Sequence, residues 1–238
     1  MSEINKVATP EQLHNIGAMA AELIEDGQAV GLGSGRASHA FVRMLARRIQ
    51  QKHLEIIGIP TSESTARLAR EVGIPLGSLE DIGELDIAVD GADEVDPKLN
   101  LIKGGGGDLL REKVIASIAR RFVVVVGEEK IVDRLGTRFP IFVEVIDFAM
   151  PVVIRALAKL GAVATPRMTS GGQFFRTDNG NPLLHARFDP FDAQMLHPET
   201  LDHKIRSIPG TVETGLFLGR ADQVLVANLN GTVRTLTR

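Results

Sequence analysis

Phe122-Val123-Val124-Val125-Val126 is an apolar run in which neither side of the pleat carries a polar residue. A strand reads this way when both of its faces are buried, which points to a parallel sheet covered by helices on both sides. The preceding residues meet that demand by alternating helical patterns with short β-branched runs, the signature of βαβ units. The spacing predicts helices over Pro10–Ile24, Ser38–Gln51, Thr61–Glu71 and Asp108–Arg121. Strands are expected over Ala29–Gly33, Leu54–Ile59 and Leu85–Asp90, besides Phe122–Val126.

After Lys130 the texture changes. Phe142–Ile146 reads as a strand, Pro151–Leu160 as a helix with proline near its start, and Ala162–Met168 as another strand. Gln173–Thr177 and Leu183–Phe188 flank Asp178-Asn179-Gly180-Asn181, a strong hairpin signal, and a helix follows near Pro198–Ile205. This is a small α+β unit close to ferredoxin-like. Val212–Phe217 and Gln223–Ala227, with Asn230-Gly231 as a turn, read as strands that rejoin the first sheet. The fold class is therefore α/β: a Rossmann-like parallel-sheet domain (1–130 plus 208–238) with a smaller ferredoxin-like α+β domain (131–207) inserted before the C-terminal strands.

Composition narrows the function. Hydrophobic residues make up 44% of the 238, enough for a full core, and a net charge of -3 argues against a general nucleic-acid or membrane-surface binder. The absence of cysteine removes disulfides, thiolate catalysis and Cys-based zinc sites, and it fits a reducing compartment. None of the six histidines pairs at His-x-x-x-His spacing, so no metal site is expected. Met1–Pro10 has no apolar core of the kind a leader carries, and no later stretch reaches membrane-spanning length. The expectation is a soluble cytoplasmic protein. Arg47, Arg48 and Lys52 read as a solvated helix face.

In an open parallel sheet, ligands bind beyond the carboxyl ends of the strands. The residues that follow the expected strands are Ser34, Gly35, Arg36 and Ser38; Thr61, Ser62 and Ser64; Asp90 and Asp93; and Glu128, Glu129 and Lys130. Hydroxyls, cations and carboxylates at one edge suit a phosphorylated polyol. Gly31-Leu32-Gly33-Ser34-Gly35-Arg36 invites a dinucleotide reading, but Arg36 stands where the third glycine is due, and Ile59-Pro60-Thr61 lacks the ribose-binding acid. A strand–loop–helix turn still offers N–H groups and a positive dipole end to a phosphate, with Arg36 as a further donor.

Lys103-Gly104-Gly105-Gly106-Gly107-Asp108 is harder to assign to a plain turn. Glycine loses the most conformational entropy on folding, so four in a row beside a well-patterned helix suggest backbone closely approaching a ligand. Asp108 is a natural N-cap. Glu112 then falls in the first turns, where the dipole favours its ionised form, and a carboxylate kept charged beside a sugar carbon is a candidate general base.

These residues also resemble a family. Asp90-Gly91-Ala92-Asp93-Glu94-Val95-Asp96-Pro97, Asn100-Leu101-Ile102-Lys103 with its glycines, and Leu110-Arg111-Glu112-Lys113 are similar to ribose-5-phosphate isomerase, type A. So are Gly127-Glu128-Glu129-Lys130, Phe142–Ile146, Thr177–Asn181 and Ile208–Phe217, so the resemblance covers almost the whole chain. It implies an aldose–ketose isomerase, interconverting D-ribose 5-phosphate and D-ribulose 5-phosphate through an enediolate without a cofactor or metal. By the same resemblance Glu112 moves the proton, Lys103 stabilises the enediolate, and Asp90 and Asp93 serve ring opening and hydroxyl binding. Substrate binding falls to Gly33, Ser34, Gly35, Arg36, Ala37 and Lys130 around the phosphate, and to Gly104, Gly105, Gly106 and Gly107. The resemblance further implies a lid-like second domain and a homodimer or homotetramer.

The chain departs from the family at three places. The phosphate loop, usually Gly-Thr-Gly-Ser-Thr, is Gly33-Ser34-Gly35-Arg36-Ala37. The first helix has Leu13-His14 where a phosphate-binding lysine is common, so Arg36 is expected to replace that charge. His185 stands where an acid is common, and little is expected from it. The rival reading is a sugar-phosphate-sensing domain of the same fold without catalysis. It would need a DNA-binding helix-turn-helix, yet one helix precedes the first strand, and it gives no reason for Lys103 and Glu112 around the glycines.

Overall fold

A computed structural model of the chain describes residues 8–189 and 197–238; residues 1–7, part of the segment read above for a leader, lie outside the described residues. In chain order the elements are α1 (Pro10–Glu22), β1 (Ala29–Leu32), α2 (Gly35–Lys52), β2 (Ile57–Pro60), α3 (Glu63–Glu71), β3 (Ile87–Asp90), β4 (Glu94–Val95), β5 (Leu101–Ile102), α4 (Leu109–Ile118) and β6 (Phe122–Gly127). They continue with β7 (Ile141–Val145), α5 (Met150–Lys159), β8 (Val163–Pro166), β9 (Leu183–Arg187), α6 (Pro198–Arg206), β10 (Thr211–Thr214), β11 (Leu216–Phe217), β12 (Gln223–Ala227) and β13 (Val233–Thr237). The chain forms two compact units, one of residues 1–92, 111–131 and 220–238, the other of residues 93–110 and 132–219.

The first unit is built on a six-stranded sheet in the order β13-β12-β6-β3-β1-β2, parallel except for the β12–β13 pair. Every residue of β6 is buried, and β3 and β12 flank it in parallel, as the all-apolar run demands. Its core packs Ile16 and Ile24 beside α1, Phe41 and Leu45 of α2, and Val123 and Val125 of β6. Fully burying each such side chain is worth roughly 1.5–3 kcal/mol. Thr9 caps α1 in a reciprocal capping box with Gln12, and Pro10 occupies the first turn. Helix α2 starts at Gly35, three residues ahead of the expected Ser38, with Ser34 at its N-cap. Arg36 and Ala37 therefore sit in the first helical turn, not in a loop.

The second unit contains a βαββαβ arrangement: β7, α5, β8, β9, α6 and β10 make an antiparallel sheet in the order β10-β7-β9-β8. That is the ferredoxin-like pattern expected. Its core joins Phe142 and Val143 to Val153 and Leu157 of α5 and to Leu201 and Ile205 of α6.

Two expectations fail here. Val212–Phe217 does not rejoin the first sheet. It breaks at Gly215 into β10, which pairs with β7, and β11, which pairs with β5 in a small β11-β5-β4 sheet. The cause is close approach: a Cβ on Gly215 would lie 2.2 Å from the Lys103 carbonyl oxygen. Gly215 also donates its N–H to the Phe142 carbonyl at 2.7 Å and accepts that of Lys103 at 2.9 Å. Nor is Gln173–Thr177 a strand; only the isolated bridges Met168–Phe174 and Arg176–Pro182 form. The polar groups of the turn are directed onto the buried Glu144 carboxylate instead, which accepts from Thr177 Oγ1, Asn179 Nδ2 and Asn181 Nδ2.

The β11-β5-β4 sheet carries β5 into Lys103, and a buried carboxylate secures it. Glu94, fully buried on β4, accepts backbone N–H groups from Gly136 at 2.6 Å, Arg138 at 2.5 Å and Phe139 at 2.7 Å. Glu94→Ala takes the shared acceptor away from those donors and should cost about 3 kcal/mol. Urea unfolding measures this, and an unshifted midpoint would contradict the role given to Glu94.

Candidate active site

The residues singled out from the sequence fall into both units, and each set has its own geometry. In the first unit, the parallel neighbours β1, β3 and β6 end at Leu32, Asp90 and Gly127. The Asp90 side chain, 2% exposed, organises this edge. Its Oδ1 accepts the Ser34 N–H at 2.9 Å, the Ser38 hydroxyl at 3.0 Å and the Gly91 N–H at 2.7 Å. Position 33 must be glycine because a Cβ there would lie 2.2 Å from that same oxygen.

Ser34, 8% exposed, belongs to a hydroxyl relay. Its Oγ lies 2.7 Å from Thr61 Oγ1 and donates to Ser62 Oγ at 2.8 Å; Ser62 donates to Thr65 Oγ1 at 3.0 Å, and Thr65 to the Gly33 carbonyl at 2.9 Å. Gly35, Arg36 and Ala37 open α2, so their N–H groups lack intrahelical partners and make an anion-binding end. The Arg36 guanidinium donates to the Ala8 carbonyl at 3.0 Å. It lines a cleft of about 440 Å³ with His14, His39, Arg43 and Arg47. Lys130, half-buried, closes the single 3-10 turn that follows β6. Glu112, 6% exposed, lies in the first turn of α4, as expected.

In the second unit the glycine run leaves β5. Lys103 is 2% exposed, with its Nζ 5.5 Å from the centre of the Phe217 ring. An ammonium over an aromatic face is attracted by the negative face of the ring. Asp93 Oδ2 accepts the Gly105 N–H at 2.8 Å, so this carboxylate also shapes the run. Gly104 and Gly107 adopt φ of +112° and +110°, open in practice to glycine alone. Gly106 is exposed and Gly107 buried.

Sequence reasoning missed Thr65, His39 and Arg167. Ser62-x-x-Thr65 at a helix start was a readable cap, since Ser62 Oγ accepts the Thr65 N–H at 3.1 Å. His39 Nε2 lies 3.2 Å from Thr65 Oγ1, a contact made through the fold. Arg167 donates to the Gly105 carbonyl at 3.0 Å across 62 residues, a separation with no local signal. Chemically, the two sets supply buried carboxylates, a buried ammonium and anion-binding backbone, the means to bind a phosphate and move a proton at carbon.

Comparison with known proteins agrees with this chemistry. The family described as ribose 5-phosphate isomerase A (phosphoriboisomerase A) matches residues 57–231. The chain is 47% identical over 215 residues to ribose-5-phosphate isomerase A of Roseiflexus castenholzii, covering 90% of each. Its fold superposes on ribose 5-phosphate isomerase A of Methanocaldococcus jannaschii with a TM-score of 0.90 at 41% identity, covering 97% of this chain and 100% of the other. A D-ribose-5-phosphate isomerase in complex with phospho-erythronic acid also gives 0.90, at 38% identity and the same coverage.

The hydroxyl relay implies a pH dependence of stability. Burial holds His39 below its ordinary value of 6.5, Arg43 adds to the effect, and Asp90 opposes it. The unfolded chain thus takes up this proton first as pH falls. Stability is complete above about pH 6.5 and declines as pH drops towards the lower folded value. His39→Gln, which keeps a partner for Thr65, should flatten the fall of the thermal midpoint between about pH 6.5 and 5. His185, also lowered by burial, leaves a residual slope. Identical slopes in the two proteins would contradict the assignment.

Proposed function

The chain belongs to the ribose 5-phosphate isomerase A family, and from that premise we propose that it interconverts D-ribose 5-phosphate and D-ribulose 5-phosphate through a cis-enediolate. Glu112 is the base. Its carboxylate takes the proton from C2 of the open-chain aldose while electrons move onto the C1 oxygen. The hydroxyl proton of the C2 oxygen passes to the C1 oxygen, and the same carboxyl group returns its proton to C1, leaving the carbonyl at C2. The observation that carries this reading is a buried carboxylate in the first turn of the helix entered from the glycine run. Lys103 places its ammonium against the oxygen on which charge develops.

Asp90 and Asp93 handle the sugar hydroxyls and the proton of ring opening. The segment from Ser34 to Ala37 holds the phosphate, with the backbone N–H groups of Gly35, Arg36 and Ala37 in the first turn of α2 as donors and Lys130 and Arg36 as cations. Gly104 to Gly107 give the sugar close access to the backbone. The second unit serves as a lid. The assembly is a homodimer or homotetramer, and the chain works in the cytoplasm on a small-molecule substrate. Among the described residues no helix is long and apolar enough to cross a membrane.

Ribulose 5-phosphate formation, measured with EDTA present, tests the chemistry. Wild type should turn over, and Glu112→Gln should lose roughly 10²–10⁴ in kcat, the usual contribution of a general base. Activity retained by Glu112→Gln would overturn the assignment of the base. Arg36→Ala should raise KM about tenfold with kcat little changed, as the loss of one charge-assisted contact requires. An unchanged KM would show that Arg36 does not replace the lysine many family members carry where this chain has His14.

A further inference from the structure

Outside the residues already assigned, one side chain is built around the glycine run. Arg167 follows β8, and its guanidinium carbon lies 3.8 Å from the centre of the Phe175 ring, a stacking distance. From that position Nη1 donates to the Gly105 carbonyl at 3.0 Å. The other side of the same residue is held by Asp93, which accepts the Gly105 N–H at 2.8 Å. The ends of the run are also packed. A Cβ on Gly104 would meet Leu109 Cδ2 at 2.9 Å and Phe142 Cβ at 3.0 Å, and one on Gly107 would meet Phe175 Cζ at 2.5 Å.

A tetraglycine segment has little conformational preference of its own. Its shape must be imposed from outside, and here a carboxylate fixes the N–H of Gly105, a guanidinium fixes the carbonyl, and a ring stops Gly107. Arginine suits this place better than lysine, because its planar group can stack and donate together. Burial holds the guanidinium below its ordinary value, and Asp108 and Asp93 oppose that shift.

We propose that Arg167 is a positioning residue for the isomerisation: by gripping the Gly105 carbonyl while stacked on Phe175, it fixes the course of the chain from Lys103 to the helix that bears Glu112. The proposal rests on the reading of Lys103 and Glu112 as the reacting groups. Arg167 itself touches no reacting atom. Its loss lets the run sample other conformations, and displacing a reacting group by about 1 Å is enough to cost on the order of a hundredfold in rate.

The test compares steady-state kinetics of full-length Arg167→Met, Arg167→Lys, Phe175→Leu, Lys103→Met and Glu112→Gln, with circular dichroism giving the folded fraction of each. Arg167→Met should lose about 10- to 100-fold in kcat with KM moving less than about threefold. Arg167→Lys should recover part of that loss, and Phe175→Leu should shift kcat in the same direction by less. A merely structural residue would lower kcat only in proportion to the unfolded fraction, and that result would overturn the proposal. So would a raised KM at unchanged kcat, which would make Arg167 a substrate ligand. Arg167→Met active within twofold of wild type, beside inactive Lys103→Met and Glu112→Gln, would sink the positioning role alone. If Lys103→Met and Glu112→Gln themselves stay active, the underlying reading falls and the proposal with it.

Discussion

Buried charge is the constraint on which this structure turns. Asp90, Lys103 and Glu112 are each less than a tenth exposed, as are Glu94 and Glu144. An ionised group removed from water is tolerated only where donors, acceptors or opposite charges replace its hydration. Around Asp90 those donors are the backbone of Ser34 and Gly91 and the hydroxyl of Ser38, so satisfying the charge also shapes the loop after β1 and the start of α2. Around Glu94 they are three backbone donors of the 136–139 segment, and satisfying that charge fastens the segment to the small sheet that leads into Lys103. In both units, the cost of burying a carboxylate is offset by hydrogen bonds that fix a functional loop.

The division of labour between fold and site follows. The six-stranded sheet supplies stability through apolar strands packed against helices, and it presents polar residues at the strand ends. The ferredoxin-like unit does the equivalent for the glycine run, which its own sequence cannot hold in one shape. Glycine is used there for close packing and positive φ, and the entropy cost of ordering it is met by contacts from distant residues such as Phe142 and Phe175.

The main architecture was legible because its signals are periodic and local. The apolar run of β6, the proline at the start of α5 and the turn residues of Thr177–Asn181 each act within a few residues of themselves. The expected residues Asp90, Glu112 and Lys103 proved buried, and Gly33 to Ala37 fell at a strand end and helix start. What escaped was set by contacts far apart in sequence. Nothing near Gly215 announces that the Lys103 carbonyl passes beneath it, so the break between β10 and β11 was missed. The two-residue strands β4 and β5 are too short to carry a period, and β11, which pairs with β5, lies more than a hundred residues on. Arg167 was silent for the same reason: an arginine after an edge strand reads as a solvated charge until the fold brings Phe175 and Gly105 to it.

The central claim is that the hydrogen leaves carbon as a proton taken by a buried carboxylate. Its most direct test follows that hydrogen by NMR, with ribose 5-phosphate turned over in D2O. A proton held on Glu112 exchanges with solvent between removal and return, so deuterium should enter C1 of ribulose 5-phosphate over successive turnovers. Ribulose 5-phosphate still free of deuterium at C1 after the reaction has been held at equilibrium through many turnovers would mean that the hydrogen passes directly between the carbons, and would contradict the account.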